Sequence, residues 1–253
     1  MSFAVGASAY DRFMGRYSVP LAPLLADFAG VEVGQRVLDV GCGPGALTTE
    51  LVARLGPSAV AAVDPSEPFV AAAREQHPGV DVRQAPAEQL PFDDAAFDAT
   101  LAQLVVHFMA DPVAGLREMA RVTRPGGVIA ACVWDFGSGG SPLSVFWQAA
   151  RELDPTVRGE AALPGASEGH LAALFEEAGL RDVSDTVLET EVEHPSFDEW
   201  WEPFTLGVGP AGAHVAGLGD ADRDALRDHC NALLPPAPFS ITARAWAARG
   251  TAP

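Results

Sequence analysis

Short apolar runs alternate with stretches of helical spacing through residue 134, and that alternation predicts βαβ units around a parallel sheet. RVLDV (36–40) reads as a buried strand that runs into glycines. LTTELVARL (47–55) follows, with Leu47, Leu51 and Leu55 on one helical stripe. AVAAVD (59–64) is the second strand, and Ser66 is placed to cap a helix over EPFVAAAREQH that Pro78-Gly79 stops. VDVRQAP (80–86) and FDATLAQ (97–103) are the third and fourth strands. Asp111-Pro112 supplies the N-cap and first-turn proline of a helix whose apolar face is Leu116, Met119 and Ala120. That helix is expected to end at Arg124-Pro125-Gly126-Gly127, before a fifth strand, VIAACVW (128–134).

The second half is less regular. Ser167 is placed to cap a helix that turns Leu171, Leu174 and Phe175 inward and ends at Gly179. TVLETEVEH (186–194) reads as a strand exposed on one face, and FSITARAWA (239–247) alternates cleanly. SFDEWWEPF and DADRDALRDHCNALL have helical spacing. The economical arrangement pairs the last two strands antiparallel, with 141–165 and 195–237 as elaborations over one edge. Trp200 and Trp201 cannot share a helix face, so one is expected in the core and the other at a cleft.

Charge narrows the partners. Thirty-four acidic against 16 basic residues, every one of the latter arginine, give a formal charge of −18 over 253 residues. Such a surface repels nucleic acid and anionic lipid, so neither is expected as a partner. With 48% hydrophobic residues the chain is long enough to fold around a sizeable core. No apolar run reaches the ~18 residues of a membrane span, and the N-terminus lacks signal-peptide character. Cys42, Cys132 and Cys230 are isolated, which points to a reducing cytoplasm. Arginine and alanine richness without lysine suggests a bacterial, GC-rich origin. The six histidines are scattered and no metal site is expected.

The most informative stretch is Val37-Leu38-Asp39-Val40-Gly41-Cys42-Gly43-Pro44-Gly45-Ala46, a strand ending in a glycine turn that opens a helix. Glycines at 41, 43 and 45 let backbone approach a ligand where a Cβ would clash. Asp64 closes the second strand, placed to accept bonds from ribose hydroxyls. Gly41, Gly43 and Ala46 also satisfy the dinucleotide fingerprint, so spacing leaves two cofactors open. Charge favours one of them. A pyrophosphate is repelled by Asp39, whereas the ammonium of S-adenosylmethionine is attracted to it.

VLDVGCGPG, AAVDPSE, APAEQLPFDDAAFDATLAQ and the RVTRPGG turn, in this order over 36–134, resemble a class I S-adenosylmethionine-dependent methyltransferase. The resemblance implies an α/β, Rossmann-like, doubly wound sheet of seven strands with the last antiparallel, plus helical elaborations. One domain would span 1–253, with lid helices in 1–30, a cofactor-binding core in 31–135 and substrate-side elaborations in 136–253. Carried over by position, Gly41, Gly43 and Gly45 would line the methionine moiety and Asp39 would meet its amino group. Asp64 would hold the ribose, with Pro65 and Ser66 beside the adenine. Ala87 and Glu88 match the adenine-contacting stretch, and Gln103 would face the sulfonium. Pro86 departs from the pattern, since family members often have an aspartate there, leaving the adenine amino group to Glu88 or a water.

Methyl transfer from a sulfonium needs alignment, and a base only where the nucleophile must lose a proton. His107, just beyond the fourth strand, is the candidate base, its alternative role being a buried residue that closes the strand. AYDRFMGRYS (9–18) is expected to form a lid giving Tyr10 and Arg16 contacts to the cofactor, Arg16 to its carboxylate. Trp134, Trp147, Trp200, Trp201 and Phe204 suggest an apolar acceptor pocket. The expected activity is methylation of a small apolar or aromatic molecule at O, N, S or C. The competing function is a non-catalytic S-adenosylmethionine-binding partner or sensor. Oligomeric state is not legible.

Overall fold

The computed structural model describes residues 7–253, so the first six residues of the expected lid segment lie outside the described residues. Seven strands form one sheet: β1 (Val37–Val40), β2 (Val60–Asp64), β3 (Asp81–Gln84), β4 (Phe97–Gln103), β5 (Thr123–Trp134), β6 (Arg181–His194) and β7 (Phe239–Thr251). Their order is β3-β2-β1-β4-β5-β7-β6, with β1 to β5 parallel and β7 antiparallel to both β5 and β6. The expected α/β sheet of seven strands with an antiparallel last strand is therefore present. The chain leaves β1 toward β2 on one side and later returns to β4 on the other. That reversal opens a crevice at the carboxyl ends of β1, β2 and β4, the usual ligand position in such sheets.

Helices Arg16–Ala29, Ala46–Leu55 and Ser144–Leu153 contribute Leu21, Leu25, Leu51 and Phe146 to the core on one face, against Leu101 and Trp134. On the other face, helices Pro112–Val122 and His170–Glu177 press Leu116, Met119 and Phe175 onto Leu38 and Ile129. Asp111 caps the first of these as expected, its carboxylate accepting from the Ala114 N–H at 3.0 Å. Two boundaries differ from the sequence reading. The helix ends at Val122 and β5 begins at once, through a register shift opposite Phe97–Ala99 that the left-handed Gly126 (φ 76°) makes possible. Helix His170–Glu177 is preceded by left-handed Gly169, not capped by Ser167.

The elaborations comprise helix Ser144–Leu153 together with Phe197–Trp201, a 3₁₀ turn Glu202–Leu206, and helices Gly209–Gly217 and Asp220–Leu233. Strand β6 closes the sheet on this side, with Leu188, Thr190 and His194 buried and Glu189, Glu191 and Glu193 facing water. No helix among the described residues is long and apolar enough to cross a membrane.

Candidate cofactor site

The glycine turn is stitched onto β2, because the N–H groups of Gly41 and Cys42 both donate to the Val63 carbonyl at 2.8 and 2.9 Å. All three glycines have positive φ, and each has a different reason for lacking a side chain. A Cβ on Gly41 would collide with the Val105 side chain, and one on Gly45 would come within 2.6 Å of the His77 ring. A Cβ on Gly43 would meet no protein atom within 4 Å. It would instead project into open space, and Gly43 lines a cavity of about 510 Å³.

That cavity gathers most of the residues expected at the site. Tyr10, Gly41, Gly43, Asp64, Pro65, Ser66, Ala87, Glu88 and Gln103 line it. Phe69, Leu104, Val105, Phe108 and Met109 add an apolar wall that the sequence reading missed. Their signal was present as LVVHFM after β4, but only the observed 3₁₀ turn over Val106–Phe108 decides which of them face inward. No basic residue lines the cavity among the described residues, while Asp64, Glu67 and Glu88 do.

Asp64 is fixed at the end of β2 by its own backbone surroundings. One carboxylate oxygen accepts from the Gly43 N–H at 2.9 Å and the other from the Ser66 N–H at 2.8 Å. Burial raises its pKa and these two bonds oppose the rise. Asp39 lies behind the turn, 1% exposed, and accepts from the Thr48 hydroxyl at 2.6 Å. Its other oxygen has no partner. Burial pushes its carboxyl up to about 7, Thr48 works against the shift, and the charge on Asp64 adds to it. Gln103 donates to the Ser18 carbonyl at 2.9 Å and keeps a buried Oε1 without a partner. A buried acceptor left unpaired costs roughly 1–3 kcal/mol, so two of them flanking one turn suit a ligand that brings N–H donors. The ammonium of S-adenosylmethionine is such a donor, and its adenosine hydroxyls suit the remaining lone pairs of Asp64. The donor set therefore fits that cofactor.

Glu88 reaches the cavity but holds protein backbone, accepting from the N–H groups of Ala110 and Asp111 at 2.7 and 3.2 Å. Tyr10 packs edge-on against Phe69 with ring centroids 5.4 Å apart, and both side chains line the cavity. Burial beside Asp64 and Asp11 raises the Tyr10 pKa, keeping the hydroxyl protonated.

Four expected residues do not line this cavity: Asp39 lies buried behind the turn, Gly45 faces the His77 ring, and Arg16 and His107 are placed elsewhere. Arg16 lines a separate open groove and pairs with Glu199 at 2.5 Å. The π-helical turn Asp11–Gly15 accommodates an extra residue per turn, which rotates Arg16 away from the side that Tyr10 occupies. His107 points into the core, 4% exposed, against Phe108 and Phe136. Burial lowers its pKa to about 3, and its Nδ1 has no partner. The ring does not itself line the cavity, and a base this weak does not suit the expected role. The tryptophan pair also differs from expectation. Trp200 and Trp201 are both buried, because the elaboration and the N-terminal helix cover both sides of their short helix. No cluster of metal-ligating side chains occurs among the described residues.

A family profile described as a methyltransferase domain matches residues 38–131. An uncharacterized methyltransferase of Mycobacterium tuberculosis is 38% identical over 135 residues, or 53% of this chain and 52% of that protein. The malonyl-acyl-carrier-protein O-methyltransferase of Pectobacterium atrosepticum is 36% identical over 163 residues, or 64% of this chain and 62% of that protein. The chain thus spans about half to three fifths of the length of these relatives. Among solved structures, the YcgJ protein of Bacillus subtilis aligns with a TM-score of 0.58 at 20% identity, covering 91% of this chain and 97% of that one.

Proposed function

The chain belongs to the class I S-adenosylmethionine-dependent methyltransferase family, and from that premise we propose that it methylates a small apolar or aromatic molecule at O, N, S or C. When bound, S-adenosylmethionine supplies a methyl group already activated by its positive sulfur. The observation that carries the cofactor assignment is the pair of buried unpaired acceptors, Asp39 Oδ1 and Gln103 Oε1, beside a turn whose Gly43 leaves space open. Asp39 and Gln103 receive the ammonium. Asp64, oriented by the Gly43 and Ser66 amides, receives the ribose hydroxyls. Pro65, Ser66 and Ala87 flank the adenine, with Phe69 and Met109 supplying apolar cover. Glu88 acts on this end by fixing the Ala110–Asp111 backbone.

A dinucleotide is the poorer occupant. Its pyrophosphate would enter a cavity bordered by Asp64, Glu67 and Glu88, with no cation among the described residues on the wall to receive it. A neutral or cationic acceptor is also consistent with a formal charge of −18, which disfavours nucleic acid. The malonyl-acyl-carrier-protein relative supports an acyl or other small acceptor in outline.

The test is calorimetric titration with S-adenosylhomocysteine and NAD, followed by turnover of methyl-labelled S-adenosylmethionine over a panel of small acceptors. S-adenosylhomocysteine is expected to bind and NAD is not, with label passing to at least one acceptor. Binding without turnover on any acceptor would favour the non-catalytic partner or sensor. NAD binding in place of S-adenosylhomocysteine would overturn the assignment.

A further inference from the structure

The glycine turn has a second set of neighbours besides the cofactor cavity. Cys42 packs in a small apolar cluster with Val70 and Ala73 of helix Glu67–Gln76 and with Ala62 and Val82 of the sheet. His77 closes that helix and lays its ring on Gly45. It is 7% exposed, and its Nε2 lies 2.6 Å from where a Gly45 Cβ would stand. The His77 main chain is held on both sides, its N–H donating to the Ala73 carbonyl and its carbonyl accepting from the Val80 N–H. The ring is thus presented to the turn from a fixed position.

Helix Ala46–Leu55 has no side-chain cap, because its N-cap residue is Gly45. Thr49 supplies what the cap does not. Its hydroxyl and its N–H both donate to the Gly45 carbonyl at 2.8 Å. With the hydroxyl proton committed there, the hydroxyl oxygen is left as an acceptor 3.3 Å from His77 Nε2. That geometry assigns the ring proton to Nε2 and makes a relay from imidazole N–H to hydroxyl to carbonyl. Burial lowers the imidazole's pKa, and hydrogen bonding to the Gly45 backbone opposes the shift.

Thr48, one residue earlier, faces another way. Its hydroxyl holds one oxygen of Asp39 at 2.6 Å, and the second oxygen, Oδ1, is the buried acceptor without a partner. Neighbouring residues in a helical turn project about 100° apart, so whatever fixes Thr49 also fixes the direction from which Thr48 reaches Asp39.

We propose that His77 is a positioning residue for the cofactor's ammonium group: through Thr49 and Gly45 it fixes the first turn of helix Ala46–Leu55, so that Thr48 leaves Asp39 Oδ1 turned to the ligand. The proposal rests on the S-adenosylmethionine reading and adds to it a residue that does not line the cavity. His77 therefore acts through its neighbours. Without the ring's N–H, Thr49 is free to turn and the Gly45 corner relaxes. The ammonium then loses an aligned acceptor, and hydrogen bonds weaken steeply with misalignment. Asp64 keeps its bond from the Ser66 N–H, so the adenosine end is left as it was.

The test is calorimetry with two ligands, S-adenosylhomocysteine and its deamino analogue, the same molecule without the amino group. The wild type is expected to prefer the amino form by at least about 30-fold. H77F keeps a ring and removes the N–H, and it is expected to narrow that preference by about tenfold while the deamino analogue loses less than about twofold. H77Q returns an amide donor and should restore the preference to within about threefold of wild type. T49V removes the hydroxyl at nearly constant shape and should reproduce the selective loss, which decides the matter even where H77F does not fold. Equal weakening of both ligands by a folded variant would make His77 a packing residue and overturn the proposal. An unchanged preference would overturn it too, as would a wild type indifferent to the amino group or an H77Q that recovers nothing lost in H77F. A wild type that binds neither ligand would instead remove the S-adenosylmethionine reading beneath it.

Discussion

In β1 every position from Val37 to Val40 is buried, whereas β6 is largely exposed up to Val187 and alternates only from Leu188 onward, with Glu189, Glu191 and Glu193 facing outward. The two strands belong to one sheet and answer to different surroundings. Helices cover both faces of β1, so its residues are chosen for burial, and its only polar side chain, Asp39, is buried and held by the Thr48 hydroxyl. One face of β6 meets water, so its sequence divides between core and surface. The parallel half thereby concentrates buried backbone around the glycine turn, and the antiparallel edge carries aromatic packing. On the proposed reading, cofactor binding would belong to the first region, while the second contributes mainly to stability.

The comparison breaks if cofactor affinity depends on the elaboration. Trp200→Ala removes a buried ring packed on Phe204 and Phe197 and should cost about 3–5 kcal/mol in denaturant unfolding. S-adenosylhomocysteine affinity of the folded fraction should be unchanged, and a parallel loss of affinity would join the two regions energetically.

The glycine turn sharpens the contrast at single-atom scale. Gly43→Val should abolish S-adenosylhomocysteine binding, by at least about 10²-fold, because its branched side chain fills the open space of the cavity. Gly45→Ala should act differently, destabilising the fold by about 1–3 kcal/mol through its collision with His77 and its left-handed φ. Thermal melts and calorimetry on both variants separate the two effects. Asp64→Ala should weaken the same ligand by about 1.5–3 kcal/mol, since it removes charge-assisted bonds to two hydroxyls.

The smallest effect concerns protons. Burial raises Asp39 from its ordinary carboxyl value to about 7, so the folded, ligand-free chain favours the protonated acid. For this group stability is greatest below its unfolded pKa of about 4 and is lost as pH rises toward 7, the sign expected of a raised carboxyl. A ligand ammonium favours the carboxylate, so S-adenosylhomocysteine binding at about pH 7 should release about half a proton and tighten as pH rises through that range. Calorimetry in buffers of different ionisation enthalpy measures the release, and Asp39→Asn should eliminate it.

The parallel half was legible in the sequence because its strands are short β-branched runs punctuated by turn glycines, and nine of the expected site residues share one cavity. The misses have local causes. His107 and Phe108 are neighbours on one 3₁₀ turn with their rings in contact, yet only Phe108 lines the cavity, and a linear pattern does not say which of the two does. Arg16 was displaced by the π-helical turn, a departure from the 3.6-residue period on which its placement relied. Trp200 and Trp201 were separated by helical geometry on paper, but their helix is five residues long and is covered on both sides. Tyr17 and His194 are 177 positions apart, so their pairing is a product of the antiparallel edge and has no sequence signature.

Strand β6 also ends the sheet, and its free backbone groups would accept another strand from a neighbouring molecule. Glu189, Glu191 and Glu193 set a row of like charge along that edge, which discourages such pairing. Near the isoelectric point of about 4.5 the chain's net charge falls to zero, and the repulsion between whole molecules goes with it. Acid should therefore bring turbidity and fibrous precipitation from this side of the molecule, and storage well above that pH should keep the protein clear.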